Sequence, residues 1–187
     1  TFLRHPRIAL VAGADPRAQA RAAFAADTGG KAYATLEEMC DSAEVEAVYI
    51  STAHEMHAAH ACYAASRGKH LLVEKPMALT LADCAAITDA AKKAGVALVV
   101  GHSHSFDAPI ARTCELIATG MFGRVRMINA LNYTDWLYRP RRPEELADGG
   151  GVLFNQAPHQ VDVVTLLAGS RVTSVRAQAG AWDKLRT

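Results

Sequence analysis

The strongest constraint on this chain's fold is a repeated alternation, between residues 8 and 100, of short apolar runs and helix-forming segments. Residues 8–12 (Ile-Ala-Leu-Val-Ala) are continuously apolar, as suits a parallel strand covered on both faces. Gly13-Ala14-Asp15-Pro16 ends that run, and Pro16 can open the alanine-rich helix expected over 17–28. A short helix is expected over 36–40, a strand over 45–50 and a long helix over 54–67, with Gly68 as its C-cap. A strand over 70–73, a helix over 80–94 stopped by Gly95, and a strand over 96–100 complete the series. This strand–helix rhythm with short links is that of a doubly wound α/β sheet. Right-handed crossovers bring the C-terminal ends of the strands to one edge, where open α/β sheets bind ligands. Asp15, residues 51–57 and Glu74-Lys75-Pro76 then share that edge.

The rhythm changes after Gly101. A helix is expected over 106–119, a long strand over 125–133, a charged, proline-punctuated loop over 139–148, a helix over 158–167 and a strand from 172 to 179. We therefore expect a partial dinucleotide-binding domain over 1–101 and a partial substrate-binding and oligomerisation domain over 102–187. Thr1 is not an initiating residue, and apolar runs lie close to both ends, so the sequence reads as an internal fragment.

Composition narrows the class. Half of the residues are hydrophobic, enough for a core, and a formal net charge of +1 argues against wholesale nucleic-acid binding. No apolar run approaches the length of a membrane span, so no membrane partner is expected. Cys40, Cys62, Cys84 and Cys114 are widely spaced, without a CxxC pair; we read them as reduced, mostly apolar side chains of a cytoplasmic protein.

Several residues can carry chemistry. Asp15, just past a strand, can accept hydrogen bonds from an adenosine ribose, which favours NAD, or can cap the next helix. Arg17 beside it can reach a 2′-phosphate, which makes NADP the alternative. The glycine fingerprint and strand that normally precede such an acidic residue are absent. Lys75, at a strand end before Pro76, can face a substrate hydroxyl and lower the cost of alkoxide charge, or can be solvated in a turn. His159 suits removal of a hydroxyl proton; a core or capping histidine is the alternative. Asn155 can hold substrate or orient the ring, and Asp162 can orient it or form a structural ion pair. Gly149-Gly150-Gly151 can allow close approach of backbone to ligand or serve as a flexible turn.

Ser51, Thr52, His54 and His57 are placed at the cofactor cleft with Glu74, and His102 and His104 near substrate. The histidines also invite a zinc reading, but no HExxH or paired-cysteine pattern supports it, and no metal is expected. Arg139, Arg141 and Arg142 crowd a stiffened loop suited to substrate carboxylates, or to solvent or a subunit contact. Tyr133 and Trp136 can flank a planar ring or pack in a core.

Glu74-Lys75-Pro76, the helix from Thr80 with Gly95 and its following strand, and Gly149-Gly150 with His159 together make the chain resemble the Gfo/Idh/MocA oxidoreductase family. The resemblance covers nearly all 187 residues. It implies an N-terminal Rossmann domain binding NAD or NADP. It also implies a C-terminal α/β domain with a mostly antiparallel sheet, carrying the substrate pocket and oligomer contacts. The family's catalytic lysine and histidine match Lys75 and His159. Its usual aspartate four residues before the histidine is Asn155 here. Residues 100–107, 132–146 and 154–162 give a narrower resemblance to the phthalate 4,5-cis-dihydrodiol dehydrogenase subgroup. That implies NAD-dependent oxidation of a carboxylated cis-dihydrodiol in aromatic catabolism, by a homo-oligomer when full length. A sugar or cyclitol dehydrogenase and a non-catalytic cofactor-binding protein are the alternatives.

Overall fold

The computed structural model describes residues 2–132 and 154–178. They fall into two compact units: 2–102 with 154–158, and 103–132 with 159–178.

The first unit alternates strands and helices. Its order is β1 (Ala12–Ala14), α1 (Ala18–Thr28), β2 (Lys31–Tyr33), α2 (Leu36–Cys40), β3 (Ala47–Ile50), α3 (His57–Ser66), β4 (His70–Val73), α4 (Leu81–Ala94) and β5 (Leu98–Val100). All pairings are parallel: β1 with β2, and β4 between β3 and β5. The register sets Ile50 opposite Val73 and Val73 opposite Val100, so the last residues of β3, β4 and β5 end level.

Side-chain size explains the packing. Helix α3 turns Ala61, Ala64 and Ala65 inward, and all three are fully buried beside Val48, Ile50, Leu71 and Val73. Small side chains let the helix backbone approach the sheet closely. Ile87 and Ala91 of α4, four residues apart, fall on one face and extend the same core. Helix α4 has both ends satisfied. The Thr80 hydroxyl accepts from the Asp83 amide at 3.1 Å. Gly95 closes it in the left-handed conformation at φ 68°, with Lys92 and Lys93 in the negative end of the dipole.

The reading of residues 8–100 as an α/β fold with parallel strands holds, but the described strands form two sheets, β1 with β2 and β3-β4-β5, instead of the single sheet expected. The first strand lies at Ala12–Ala14 instead of over 8–12, because its partner is β2, a three-residue polar strand not expected from the sequence. The long helix over 54–67 is a 3₁₀ turn, His54–Met56, followed by α3. The four cysteines are free thiols; burial pushes the Cys40 and Cys62 thiols up.

The second unit contains a 3₁₀ turn (Ser103–Phe106), α5 (Ala108–Ala118) and, from His159 onward, α6 (Ala157–Ala168). Pro109 and Pro158 sit in first turns, where a missing amide hydrogen costs no helical bond. Residues 125–132 and 172–178 were expected in strands. Neither stretch is strand among the described residues, since a strand exists only through a hydrogen-bonded partner and neither pairs there. The expected antiparallel sheet thus has no counterpart among them. No helix among them is long and apolar enough to cross a membrane.

Candidate active site

Parallel strands leave their last carbonyls and the following turns on one edge. After β4 that turn is Glu74-Lys75-Pro76, whose Lys75–Pro76 peptide is cis. The ladder continues past the strand ends: the Glu74 amide donates to Ile50 O at 2.9 Å and the Gly101 amide to Val73 O at 2.8 Å.

Glu74 is fixed by both oxygens. Tyr49 Oη donates to Oε1 at 2.6 Å, and the Lys75 amide donates to Oε2 at 3.0 Å. Tyr49 pairs with Leu72, so Glu74 lies two residues beyond on the neighbouring strand and on the same face. Burial first, then the Glu74 carboxylate, pushes the Tyr49 phenol up to about 12. The half-buried Lys75 extends its ammonium to Asn155, donating to the backbone oxygen at 2.9 Å and toward Oδ1 at 3.4 Å. Gln156 Nε2 donates to the same Oδ1 at 3.1 Å. The sequence pattern thus put Lys75 and Asn155 among the site residues, and the structure brings them together. It missed Tyr49 and Gln156. Strand alternation carried a signal for Tyr49, whose exposed face is that of the residue after Val73.

His57, at the start of α3, is fully buried. Its Nδ1 lies 2.9 Å from Pro76 O and its Nε2 3.1 Å from Thr52 O. His54 packs edge-on against it, with ring centroids 5.6 Å apart. Ser51 and Thr52 are exposed, and Thr52 Oγ1 lies 3.1 Å from His60 Nδ1. His102 is half-buried just beyond β5.

Asp15 follows β1. Arg17 donates to it from Nε at 3.0 Å, from an Nη at 2.9 Å and from its own amide at 2.8 Å. These hydrogen bonds, with the guanidinium charge, hold the carboxyl down at about 2. Arg21 braces the turn by donating to Asp15 O and Pro16 O, each at 2.8 Å. The N-cap of α1 is Arg17, without a side-chain cap, so Asp15 does not take the capping role open to it from sequence.

In the second unit His159 is buried and stacks on His104, with centroids 3.9 Å apart and planes 14° from parallel. The Ser105 hydroxyl donates to Asp162 Oδ2, tying the 103–106 turn to α6. Tyr133, Trp136, Arg139, Arg141, Arg142 and the run Gly149-Gly150-Gly151 lie outside the described residues. Among the described residues no group of three or more His, Cys, Asp or Glu is placed to hold a metal ion.

The donor set suits a nucleotide cofactor. An ionised acceptor ends β1, exposed hydroxyls follow β3, and an ammonium follows β4.

Comparison with known proteins identifies the family of the chain. Residues 1–102 match the profile described as the oxidoreductase family, NAD-binding Rossmann fold, and residues 110–185 match the GFO/IDH/MocA C-terminal domain. The chain is 52% identical to a 1-carboxy-3-chloro-3,4-dihydroxycyclohexa-1,5-diene dehydrogenase from Comamonas testosteroni, over 100% of this chain and 48% of that protein. It is 37% identical to a 1,5-anhydro-D-fructose reductase from Ensifer adhaerens, over 79% of this chain and 45% of that protein. The chain thus spans about half the length of these relatives. A solved structure of a candidate dehydrogenase from Bordetella bronchiseptica RB50 superposes with a TM-score of 0.93 at 43% identity, covering 99% of this chain and 49% of that one. The WlbA dehydrogenase from Bordetella pertussis, solved with NADH and UDP-GlcNAcA, gives 0.71 at 28% identity, covering 88% and 49%.

Proposed function

This chain belongs to the Gfo/Idh/MocA oxidoreductase family, and from that premise we propose that the intact protein oxidises a carboxylated cyclic cis-dihydrodiol with NAD. The observation that carries the reading is the ammonium of Lys75, half-buried at the sheet edge and held on Asn155. The Comamonas relative, whose name describes a carboxylated dihydroxycyclohexadiene, supports the substrate class.

Asp15 accepts from the adenosine ribose, with Ser51, Thr52 and His54 lining the rest of the cofactor cleft. A nicotinamide bound there supplies a hydride acceptor at its C4. His159 removes the proton from a ring hydroxyl, and Lys75 stabilises the oxyanion that develops. The same carbon loses its hydrogen as hydride, and a carbonyl forms. The resulting hydroxy-ketone tautomerises to a catechol, and aromaticity makes the oxidation strongly downhill. Asn155 orients Lys75, and His102 and His104 stand near the substrate. Tyr133 and Trp136 flank the ring, and Arg139, Arg141 or Arg142 holds the carboxylate. The residues from 102 onward form the substrate-binding part, and the intact protein self-associates. The free thiols suit a reducing compartment such as the cytoplasm.

A second reading, a sugar or cyclitol dehydrogenase, is favoured by the Ensifer relative. The test is NADH formation by the intact protein across a panel of carboxylated dihydrodiols, cyclitols and sugars, repeated with Lys75→Ala and His159→Ala. Turnover of the dihydrodiol, slowed about 10²–10⁴-fold in single-turnover hydride transfer by either substitution, is expected. Preference for a neutral sugar supports the second reading. No turnover of any alcohol leaves a non-catalytic cofactor-binding protein.

A further inference from the structure

We propose that His57 is a positioning residue for Lys75, tying the turn that carries the lysine to the loop after β3. The inference rests on the reading of Lys75 as a catalytic group and adds a device that sets where it stands.

His57 is far from an ordinary cleft-lining histidine. It is fully buried, and both ring nitrogens face backbone carbonyl oxygens, at 2.9 Å for Pro76 and 3.1 Å for Thr52. A carbonyl offers only acceptor lone pairs, so the ring must donate, and a neutral imidazole donates from one nitrogen at a time. The shorter contact goes to the residue directly after Lys75. A ring so enclosed has no nitrogen directed at a ligand.

The ring is aimed by a rigid support. His57, Ala61 and Ala64 stand at i, i+4 and i+7, on one face of α3. All three are completely buried, so the helix cannot roll without opening the core. Lys75 and the residue after it are consequently held from several sides. The Lys75 amide is fixed by Glu74 Oε2, the Pro76 carbonyl faces His57, and the Lys75 ammonium rests on Asn155. Misplacing a reacting group by about 1 Å can cost 10²-fold in rate, so anchoring the peptide before the lysine and the carbonyl of Pro76 just beyond it bears directly on hydride transfer.

The two contacts can be separated by substitution. An asparagine amide reaches the place of Nδ1 and keeps a donor toward Pro76 O; a glutamine amide reaches the place of Nε2 and keeps one toward Thr52 O. The experiment compares His57→Asn, His57→Gln and Lys75→Ala in the intact protein. In the cofactor-free state, His57→Gln should speed amide hydrogen exchange at Lys75, Met77 and Ala78 about tenfold, the scale of one lost buried hydrogen bond. It should slow single-turnover hydride transfer about 10²-fold, with NAD affinity within about twofold. The carboxylated dihydrodiol is the probe, or whichever panel alcohol the wild type oxidises. His57→Asn should recover most of both losses. Equal behaviour of the Asn and Gln variants in exchange and rate overturns the proposal while Lys75→Ala remains slow. Normal hydride transfer in Lys75→Ala overturns the catalytic reading and this inference with it. Should both histidine variants fail to fold, nitrogen NMR of the unmodified protein decides. His57 must carry its proton on Nδ1, and an unprotonated Nδ1 removes the tether.

Discussion

The guanidinium of Arg17 lies across both carboxylate oxygens of Asp15, and the backbone amide of Arg17 adds a third bond. One carboxylate is thereby kept ionised beside an exposed cation, so the two residues we propose to separate NAD from its 2′-phosphorylated form touch each other. Asp15→Ala should weaken NAD binding at least about tenfold, as loss of a hydrogen bond to a charged group does. Arg17→Ala should leave NAD binding largely intact and weaken NADP. Titration of both variants with both cofactors checks this, and stronger NADP than NAD binding by the wild type would reverse the assignment.

The same pair makes a pH prediction. The Asp15 carboxyl lies at about 2, below its ordinary 3.8, chiefly through hydrogen bonds from Arg17. The ion pair's contribution is therefore complete above pH 3.8 and is lost as the pH falls through 2. Arg17→Ala should return the carboxyl toward 3.8, read from the Asp15 side-chain carbon shift by NMR. An unmoved titration would mean that another group holds it down.

Tyr49 should behave in the opposite sense at the alkaline end. Its phenol is raised from 10 to about 12 by burial and by Glu74. What the neutral phenol contributes is present below pH 10 and disappears as the pH rises through 12. Phenolate absorbance, taken as the difference between wild type and Tyr49→Phe, should show this late ionisation. Tyr49→Phe should also loosen Glu74, and a tyrosine titrating near 10 would deny the bond between them.

The core makes a stability prediction. Ile87 of α4 is completely buried in the core, so Ile87→Ala should cost about 2–5 kcal/mol. Thr80→Ala, which removes only the N-cap of α4, should cost about 1 kcal/mol. Urea unfolding of both variants tests the ranking, and a cap variant less stable than the core variant would contradict it.

Much of this was readable in the residues because the signals were local. Continuous apolar runs announced β3 and β4, Gly95 announced the end of α4, and the positions of Asp15 and Lys75 just after strands were legible from those runs. What escaped reading depended on partners distant in sequence. Lys31–Tyr33 is polar and short, and becomes a strand only because β1 lies beside it. The spacing of His54, His57 and His60 says nothing about burial, so a ring enclosed by two carbonyls read as one lining a cleft. The stacking of His104 on His159 joins residues 55 positions apart, and no periodicity reports it. The arginine-rich loop lies outside the described residues.

The nearer of the two Asn155 oxygens that meet the Lys75 ammonium belongs to its main chain. Every amino acid brings that oxygen with it, so no codon change at 155 can delete it. Exchange of the side chain alters the longer contact and leaves the shorter one written into the path of the chain. A different acceptor or an acidic side chain at 155 can thus retune the lysine's surroundings while the main-chain contact stays.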